Sequence, residues 1–565
     1  MPKDKPVYVL GTSLSHNGSA CLLKDGKIVV AIEKERITKV KNAGGNDSMA
    51  IVYCLNAAGI NFDDLDLIVQ NANFGGFAYG NKWYDGRRLL PDSERVVTIS
   101  HHLAHACSAY YLSPFEEAAV LVVDGCGNAF ENCTDLDGAT LGECPVGDMA
   151  SLWFEKDSYY AASCKMVAAK YKDFSPYGRI DCDYPMHPQT TRHSIGGIYA
   201  GASKYVFKGS SDLGKLMGLA PYGRPGIYDF DIFNFCDGRI FANYDWMCNF
   251  VDRVESEEDF KRRFQYFADI AWKVQKEIEC ALLKLVHARY ELHPSENLCF
   301  AGGVALNAVA NQRILRESPF KRLFIPPAAD DSGLAIGCAY YGWNQVLGRE
   351  RVPHDGTTFL GRDYDNEEEI RRVIECASLS LKIQRPDNII GEMANALEEG
   401  KTLAWFRGGA EFGPRALGHR SILADPRQSE LRDYINSKVK FREDFRPFAP
   451  SVLAEDAGQY FEVTTECPYM LLVVPVYTEW RSKLGAVVHV DGTSRIQTVR
   501  KDADPIFHSL LSAFKERTGL GMLLNTSFNR RNQPIVETPS DAVKMFLETG
   551  LHILSIGPFL VTKSA

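Results

Sequence analysis

Two stretches of the sequence open in the same way, with an apolar strand that ends in a polar turn. Residues 7–37 predict a strand, a polar turn, a second strand, a tight turn at Asp25-Gly26 and a third strand, which together form an antiparallel meander. Residues 118–130, AAVLVVDGCGNAF, predict a second buried strand, which Asp124 closes. Because the two openings are similar, the sequence predicts a duplicated half-fold.

The rest of the chain alternates between helical and strand patterns, which predicts an α/β protein. A long core-facing helix is expected between about 260 and 290, because apolar residues recur there at helical spacing. Two strand–turn–helix crossovers follow it. At 348–361 the helix and strand patterns give way to charged residues, proline and glycine. We therefore expect a first domain at 1–352 and a second at 353–565.

Size and composition exclude several classes of protein. A chain of 565 residues exceeds what one hydrophobic core usually organises, so two domains are expected. The net charge of −9 argues against nucleic acid as a partner, since a nucleic-acid-binding domain presents a basic face. No apolar run approaches the length of a membrane span, and we expect a soluble, cytoplasmic protein with no membrane partner. The 15 cysteines mostly lie beside apolar residues, which favours reduced core thiols.

Two histidines suggest a metal site. His101 and His105 lie four residues apart in ISHHLAHACSAYYL, so a helix places them on one face. Asp124, at the end of a strand, and Asp331, in the turn PPAADDSG, are candidates to complete two nitrogen and two oxygen ligands. Such mixed ligation favours iron, manganese or zinc. The alternative, capping or core histidines, is the favoured interpretation for His102, which is out of phase.

Three turns suggest a nucleotide pocket. Gly302 and Gly303 precede a helix and offer backbone N–H groups to a phosphate, with Asn307 one turn further on. Lys215 lies in SSDLGKLMGLAPYG, which predicts another glycine-flanked turn, and GTSLSHNGSA supplies a third. Turns of this kind that converge on one cleft describe a pocket like that of the actin and sugar-kinase fold. A purely structural turn is the alternative for each.

His16, in the first turn between strands, is a candidate general base. A neutral imidazole can accept a proton from an alcohol near pH 7. A structural histidine is the alternative.

The C-terminal part contains basic residues in sequence contexts that indicate folded rather than solvated side chains. A basic pocket for small anions is expected from them. Polar residues that follow an apolar strand in LLNTSFN are expected to hydrogen-bond the same anion. The alternative is a set of surface cations. The cationic candidates are Arg415, Lys440, Arg442, Arg446 and Arg495, and the polar candidates are Asn525, Thr526 and Ser527.

Eight motifs along the chain resemble those of the NodU/CmcH family of O-carbamoyltransferases, and they cover it essentially from end to end. They are SHNGSA, HHLAHACSAYY, VVDGCGN, GKLMGLAPYG, FAGGVALN, GPRALGHRSI, KFREDFRPFAP and LLNTSFN. The resemblance implies an N-terminal domain with the actin-like ATPase fold, similar to tRNA threonylcarbamoyl transferase. It also implies a C-terminal domain similar to YrdC.

The resemblance implies one reaction in each domain. The YrdC-like domain converts carbamoyl phosphate and ATP into carbamoyl-adenylate and pyrophosphate, with Mg²⁺ as a candidate companion of ATP. The N-terminal domain transfers the carbamoyl group to an alcohol and releases AMP, with His16 as the base. Family members use ferrous iron at positions matching His101, His105, Asp124 and Asp331. The positions that match the carbamoyl phosphate site are Arg415, Lys440, Arg446, Arg495, Asn525 and Ser527.

Two features depart from the family pattern. Asn17 follows His16, where many relatives have aspartate. The region from about 145 to 205, with His187 and His193, has no family motif; it is either part of the acceptor pocket or a structural insertion.

Three hypotheses about function follow. The first is carbamoyl transfer to a small-molecule natural-product alcohol by a protein that the resemblance makes a plausible homodimer. The second is a tRNA threonylcarbamoyl transferase fused to its activating domain, which the acidic charge disfavours. The third is a nucleotide sensor without catalytic activity, which the intact histidines, aspartates and arginines disfavour.

Overall fold

The computed structural model describes residues 5–72, 90, 95–147, 150, 153–176, 194–209, 213–243, 246–378 and 380–564. The chain divides into two units. The first unit comprises residues 1–34 and 44–355, and the second comprises residues 35–43 and 356–565. The sequence pattern alone gives no sign that residues 35–43 group with the second unit.

The first unit contains thirteen strands among the residues that the structure describes. They are β1 (Tyr8–Leu14), β2 (Ser19–Lys24), β3 (Lys27–Glu33), β4 (Leu67–Ala72), β5 (Val96–Ile99), β6 (Glu117–Val123), β7 (Thr140–Leu141), β8 (Trp153–Ser163), β9 (Val167–Pro176), β10 (Phe233–Cys236), β11 (Arg239–Ala242), β12 (Asn297–Ala301) and β13 (Arg322–Phe324). The α-helices up to residue 355 are α1 (Lys34–Thr38), α2 (Ser48–Ala58), α3 (His101–Leu112), α4 (Ile195–Phe207), α5 (Leu213–Leu219), α6 (Glu257–Arg262), α7 (Phe264–Leu292), α8 (Ala308–Glu317) and α9 (Leu334–Tyr341).

The two large sheets of the first unit share one topology. The first has the order β3-β2-β1-β4-β5 and the second the order β13-β12-β6-β8-β9-β7. In each sheet, a central strand, β1 or β6, has an antiparallel pair of strands on one side and two parallel strands on the other. The predicted duplication is therefore confirmed, and the arrangement is that of the actin-like and sugar-kinase fold.

Local sequence explains the two openings. Asp25 and Gly26 both have positive φ, which a two-residue hairpin turn of this kind requires. Every residue of β1 is buried, as expected for a strand that lies inside a sheet covered by helices. In the second half, β8 and β9 extend the sheet that contains β6.

The described part of the region around 145–205 includes two strands of the second sheet and most of one helix. Residues 153–176 form β8 and β9, and α4 begins at Ile195. Residues 177–193, which include His187 and His193, lie outside the described residues, so the acceptor-pocket hypothesis for this stretch stays a prediction.

Helices α3 and α9 pack unusually close together, and this packing determines the position of the candidate site. A Cβ on Gly337 would lie 1.8 Å from the carbonyl oxygen of Ala104. A Cβ on Gly11 would meet the backbone of Ala335 at 2.0 Å, so α9 is also close to β1. Glycine is needed where two backbones approach this closely. The turn before α9 is thereby brought beside the N-terminal half of α3.

The second unit is built on one eight-stranded mixed sheet. The strands of this unit are β14 (Leu381–Gln384), β15 (Leu403–Phe406), β16 (Arg420–Ala424), β17 (Ala449–Leu453), β18 (Val473–Pro475), β19 (Thr493–Arg495), β20 (Gln497–Val499), β21 (Met522–Ser527), β22 (Ile553–Ile556) and β23 (Phe559–Lys563). The sheet order is β14-β23-β22-β15-β16-β21-β17-β20, and β18 pairs with β19 separately. The helices are α10 (Glu367–Ala377), α11 (Ile389–Glu398), α12 (Ser429–Tyr434), α13 (Ala457–Tyr460), α14 (Thr478–Arg481), α15 (Pro505–Thr518) and α16 (Pro539–Leu547). This is the α/β core that the resemblance to YrdC implies.

Two expectations from composition can be compared with the described part of the chain. None of its helices is both long and apolar enough to cross a lipid bilayer. Its cysteines are free thiols, of which six are buried and six exposed, so the core interpretation holds for only some of them.

We predict that Gly337→Ala destabilises the first unit by about 1–3 kcal/mol, because the added methyl group collides with the backbone of α3. Gly214→Ala is the matched control, since a Cβ there meets nothing within 4 Å. Thermal and urea unfolding of the full-length variants measure the effect. Equal stability of the two variants would contradict the close packing of α3 and α9.

Candidate functional site

The four predicted metal ligands lie together in the first unit. His101 and His105 occupy the first two turns of α3, Asp124 directly follows β6, and Asp331 lies in the turn before α9. One ligand atom from each residue lies within 4.8 Å of those of the other three. Asp124 follows the end of a strand, His101 starts a helix, and His105 lies one turn further along that helix.

The distances within this group are those of side chains that share one small space. The Nε2 atom of His101 is 3.0 Å from Oδ2 of Asp124, 3.1 Å from Nε2 of His105 and 3.5 Å from Oδ1 of Asp331. The Nε2 atom of His105 is 3.6 Å from the same oxygen of Asp331. Both histidine side chains are fully buried, whereas that of Asp124 is 10% exposed. The group is thus closed by α3 and reached from the side of Asp124.

The opposite charges of neighbouring side chains shift the pKa values of the carboxyl and imidazole groups in this group. Burial opposes the ionisation of Asp331, but His16 and His101 hold the pKa of its carboxyl group well below the usual range. Burial likewise works against protonation of His101, yet Asp331 and Asp124 raise its pKa to about 10. Both carboxylates are therefore ionised at neutral pH, which is the form that binds a cation.

The four residues fit a divalent metal ion. They offer two imidazole nitrogens and two carboxylate oxygens, a donor set that suits iron, manganese or zinc better than calcium or magnesium. A bound ion replaces the protons on the imidazole nitrogens, and the two carboxylate charges then offset those of a 2+ ion. The backbone N–H of Gly303 donates to Oδ1 of Asp124 over 3.0 Å, which leaves the other carboxylate oxygen directed at the histidines.

His16 is adjacent to this group through Asp331. Its Nδ1 lies 2.9 Å from Oδ2 of Asp331, and the hydroxyl of Ser15 donates to the same oxygen. The side chain of His16 is 61% exposed, in contrast to the buried histidines. The charge of Asp331 raises the pKa of His16 to about 9. A cation bound to Asp331 opposes this effect, because it adds a like charge next to the imidazolium.

The residues of the predicted nucleotide turn make close contacts and hydrogen bonds within the protein that the sequence does not indicate. Gly302 has a φ of +91°, and a Cβ there would lie 2.3 Å from the carbonyl oxygen of Val123, so the turn is pressed against β6. The N–H of Gly303 is engaged by Asp124 rather than left unpaired. Asn307 caps α8 by accepting from the N–H of Ala310 and exchanges hydrogen bonds with Gln275.

The prediction that Lys215 lies in a glycine-flanked turn is wrong. Lys215 lies inside α5, with its ammonium group 5.6 Å from the centre of the Phe207 ring. Leu216 and Leu219, which follow it in the same helix, are buried, and their burial stabilises a helix where the glycines alone suggest a turn. Its nucleotide role stays a prediction.

In the second unit, the predicted cations form a cluster. Burial and the like charges of Arg415, Arg442 and Arg446 hold the pKa of Arg495 well below its usual range. Burial and the charges of Arg442 and Arg446 do the same to the pKa of Lys440. Cations that depress the pKa values of one another lie close together. An anion bound among them offsets their charges.

Three of the predicted residues form hydrogen bonds that fix the backbone around this cluster. The ammonium group of Lys440 donates to the backbone carbonyls of Ser527 and Asn529 at 2.5 and 2.9 Å, and to the Asn529 side chain at 2.7 Å. The Ser527 hydroxyl donates to the same Asn529 side chain over 2.6 Å. Asn525 donates to the carbonyl of Ala416, next to Arg415, over 3.2 Å.

Sequence reasoning missed several residues around the cluster. Glu443 is a carboxylate close to the cluster, and it forms a salt bridge with Arg531 at 3.0 Å. Arg36, from the segment 35–43, donates to the carbonyl of Gly413 over 2.7 Å, and Lys41 is one of the charges that lower the pKa of Lys440. The second arginine in NTSFNRRNQ was a visible signal for Arg531, whereas nothing in the sequence connects residues 36 and 41 with residues near 440.

Comparisons with known proteins match both the N-terminal and the C-terminal part of the chain. A family model described as the carbamoyltransferase N-terminus matches residues 8–77 and 81–340, and one described as the carbamoyltransferase C-terminus matches residues 394–563. An uncharacterized protein of Synechocystis is 34% identical over 99% of this chain and 97% of its own length. Nodulation protein NolNO of Sinorhizobium fredii is 32% identical over 98% of this chain and 80% of its own. Nodulation protein NolO of Bradyrhizobium diazoefficiens is 35% identical over 82% and 79%.

We predict that His105→Ala abolishes metal binding to the first unit, because the group loses one of its two nitrogen ligands. His102→Ala is the matched control: His102 lies on the same helix and is equally buried, but its Nδ1 faces the hydroxyl of Ser158 at 2.8 Å. Elemental analysis of anaerobically purified protein gives the metal content. Equal metal content in the two variants would refute the ligand set.

The cationic cluster predicts that Arg495→Met raises the melting temperature in anion-free, low-salt buffer, because it removes one charge from a group of like charges. Pyrophosphate should raise the melting temperature of the wild type and have little effect on that of the variant. Arg500→Met, which removes an exposed arginine paired with Glu466 and Asp502, is the control and should show neither effect. A wild type insensitive to pyrophosphate would argue against an anion site.

Proposed function

The chain belongs to the carbamoyltransferase family, and on that premise we propose that it activates a carbamoyl group with ATP in the second unit and transfers it to a small-molecule hydroxyl in the first. The observation that carries the proposal is the pairing, within one chain, of a cluster of cations with a buried group of two histidines and two aspartates. The first suits a phosphate-bearing substrate, and the second suits chemistry at a carbonyl.

In the activating reaction, carbamoyl phosphate, ATP and water become carbamoyl-adenylate, pyrophosphate and phosphate. Arg415, Arg446 and Arg495 bind and orient the phosphate groups, because an anion offsets the like charges that lie close together here. Lys440 holds the loop at residues 527–529, which lines the same cluster. Magnesium accompanying ATP is compatible with this arrangement and is part of the proposal.

In the transfer reaction, an alcohol attacks the carbamoyl carbon and AMP leaves. His16 is the base: its Nδ1 faces Asp331, which leaves Nε2 to accept the proton of the alcohol. Asp331 fixes the orientation of that ring through one oxygen and faces His101 and His105 with the other. When bound by the four ligands, a ferrous or similar divalent ion supplies electrostatic stabilisation of the developing negative charge.

The acceptor is proposed to be a small molecule rather than a transfer RNA. The net charge of −9 does not favour binding of a polyanion. A hydroxyl-bearing natural product is the acceptor class implied by the family resemblance.

The activating reaction is tested first, by exchange of labelled pyrophosphate into ATP. We expect exchange that requires carbamoyl phosphate and does not require an alcohol. Mass spectrometry of the reaction identifies carbamoyl-adenylate directly. Exchange driven by threonine and bicarbonate would instead favour the threonylcarbamoyl hypothesis, and no exchange with either donor would favour a sensor.

Single variants should separate the two reactions. Arg446→Ala is expected to reduce carbamoyl-phosphate-dependent exchange at least 100-fold, about 2.7 kcal/mol of lost stabilisation, since the dianion loses a charged partner. His16→Ala should leave exchange at the wild-type level and stop AMP release in the presence of a competent acceptor. Parallel loss of both activities in His16→Ala would refute its assignment as the base.

A further inference from the structure

The N-terminus of α3 is held by side chains from elsewhere in the chain. Ser100, which precedes the helix, makes no capping hydrogen bond with its side chain. The N–H of His101 instead donates to the side-chain oxygen of Asn128 over 2.7 Å. The N–H of His102 faces a carboxylate oxygen of Glu155 at 3.4 Å. The first turn of the helix that carries both histidine ligands therefore depends on Asn128 and Glu155.

The same two residues hold the loop that starts at Asp124. The N–H of Asn128 donates to the carboxylate of Glu155 over 2.9 Å. The backbones of Asn128 and Glu155 add a bond of 3.0 Å, and the N–H of Gly127 donates to the carbonyl of Glu155 over 2.9 Å. A Cβ on Gly127 would lie 2.5 Å from the Glu155 carboxylate, so the loop is pressed directly against it. One buried side chain on β8 thus contacts both elements that carry ligands.

Glu155 is itself fixed in place as an anion. Its side chain is completely buried and paired with Lys172, whose side chain is also completely buried. Lys172 pairs in turn with Asp135 at 2.8 Å, and Asp135 accepts from the hydroxyl of Tyr160 over 2.9 Å. Burial opposes the ionisation of Glu155, but Lys172 and His102 lower its pKa to about 2. The carboxylate is a rigid double acceptor for the backbone of residues 102 and 128.

From this geometry we infer that Glu155, acting through Asn128, is a positioning residue for the metal ligands His101 and Asp124. The inference rests on the metal group of the proposed function. Glu155 does not touch the four ligand atoms; it determines the relative placement of the helix that carries two of them and the loop that carries a third. Mutation of a residue that orients metal ligands through hydrogen bonds typically lowers metal affinity by about 10- to 100-fold.

The test measures Co²⁺ binding by the full-length protein, through the visible absorption of the bound ion and its dissociation constant. We expect Asn128→Ala to raise the dissociation constant about 10- to 100-fold and to change the spectrum, because His101 loses its N–H acceptor. Asn128→Asp keeps an acceptor oxygen at this position and should restore both values. Glu155→Gln, which loses the charge and one acceptor oxygen, should behave like Asn128→Ala.

Asp157→Asn is the matched control for loss of a buried charge. Asp157 lies two residues further along β8 and pairs with Arg289 at 2.6 Å, and it is almost as buried as Glu155. It should lower the melting temperature without changing the Co²⁺ dissociation constant. Wild-type Co²⁺ binding in Glu155→Gln and Asn128→Ala, failure of Asn128→Asp to restore it, or equal weakening in Asp157→Asn would each overturn the inference.

The outcome also separates this inference from the proposed function. A wild type that binds Co²⁺ with the predicted dependence on Glu155 but never releases AMP would overturn carbamoyl transfer and leave the positioning role intact. A wild type that transfers carbamoyl groups while Glu155→Gln binds Co²⁺ normally would overturn only the positioning role. A wild type that binds no Co²⁺ would overturn both.

Discussion

Each unit brings like charges together in a small space. In the first unit, two carboxylates lie together, and the neighbouring histidines, the Ser15 hydroxyl and the Gly303 N–H offset their charge. In the second, arginines and a lysine lie close together near Glu443. Arrangements of this kind lower stability in the absence of a ligand, so they persist only where the surrounding fold is rigid enough to enforce them. The close packing of α3 on α9 and the hydrogen bonds of Lys440 are those enforcing features.

The duplicated sheets explain how the first cluster arises. Asp124 follows the central strand of the second sheet, and the turn before α9 brings Asp331 next to the start of α3. His16 follows the equivalent central strand of the first sheet. His16 and Asp124 are therefore related by the internal repeat: each lies in the turn after the central strand of its half. Asp331 then links the two halves through a carboxylate with one oxygen toward His16 and the other toward the histidines.

Much of this was accessible from the sequence because it depends on local patterns. The four-residue spacing of His101 and His105 follows from helix periodicity, and the position of Asp124 from the end of an apolar strand. Lys215 was misplaced because flanking glycines indicate a turn, whereas buried leucines on the same segment stabilise a helix. The partner of the Gly303 N–H and the link from Glu155 to Asn128 join positions with no common periodicity. Only tertiary packing brings such positions together, and no local rule reports it.

The segment 35–43 has a consequence for the architecture as a whole. The chain passes from one unit to the other three times, after residues 34, 43 and 355. A single cut at the main boundary therefore cannot yield two complete pieces, because the shorter product would lack Arg36 and its bond to Gly413. In genetic terms, the two halves cannot be exchanged between relatives as simple end-to-end modules. Recombination that exchanges the second unit must also exchange the codons of residues 35–43. This requirement favours inheritance of both units together.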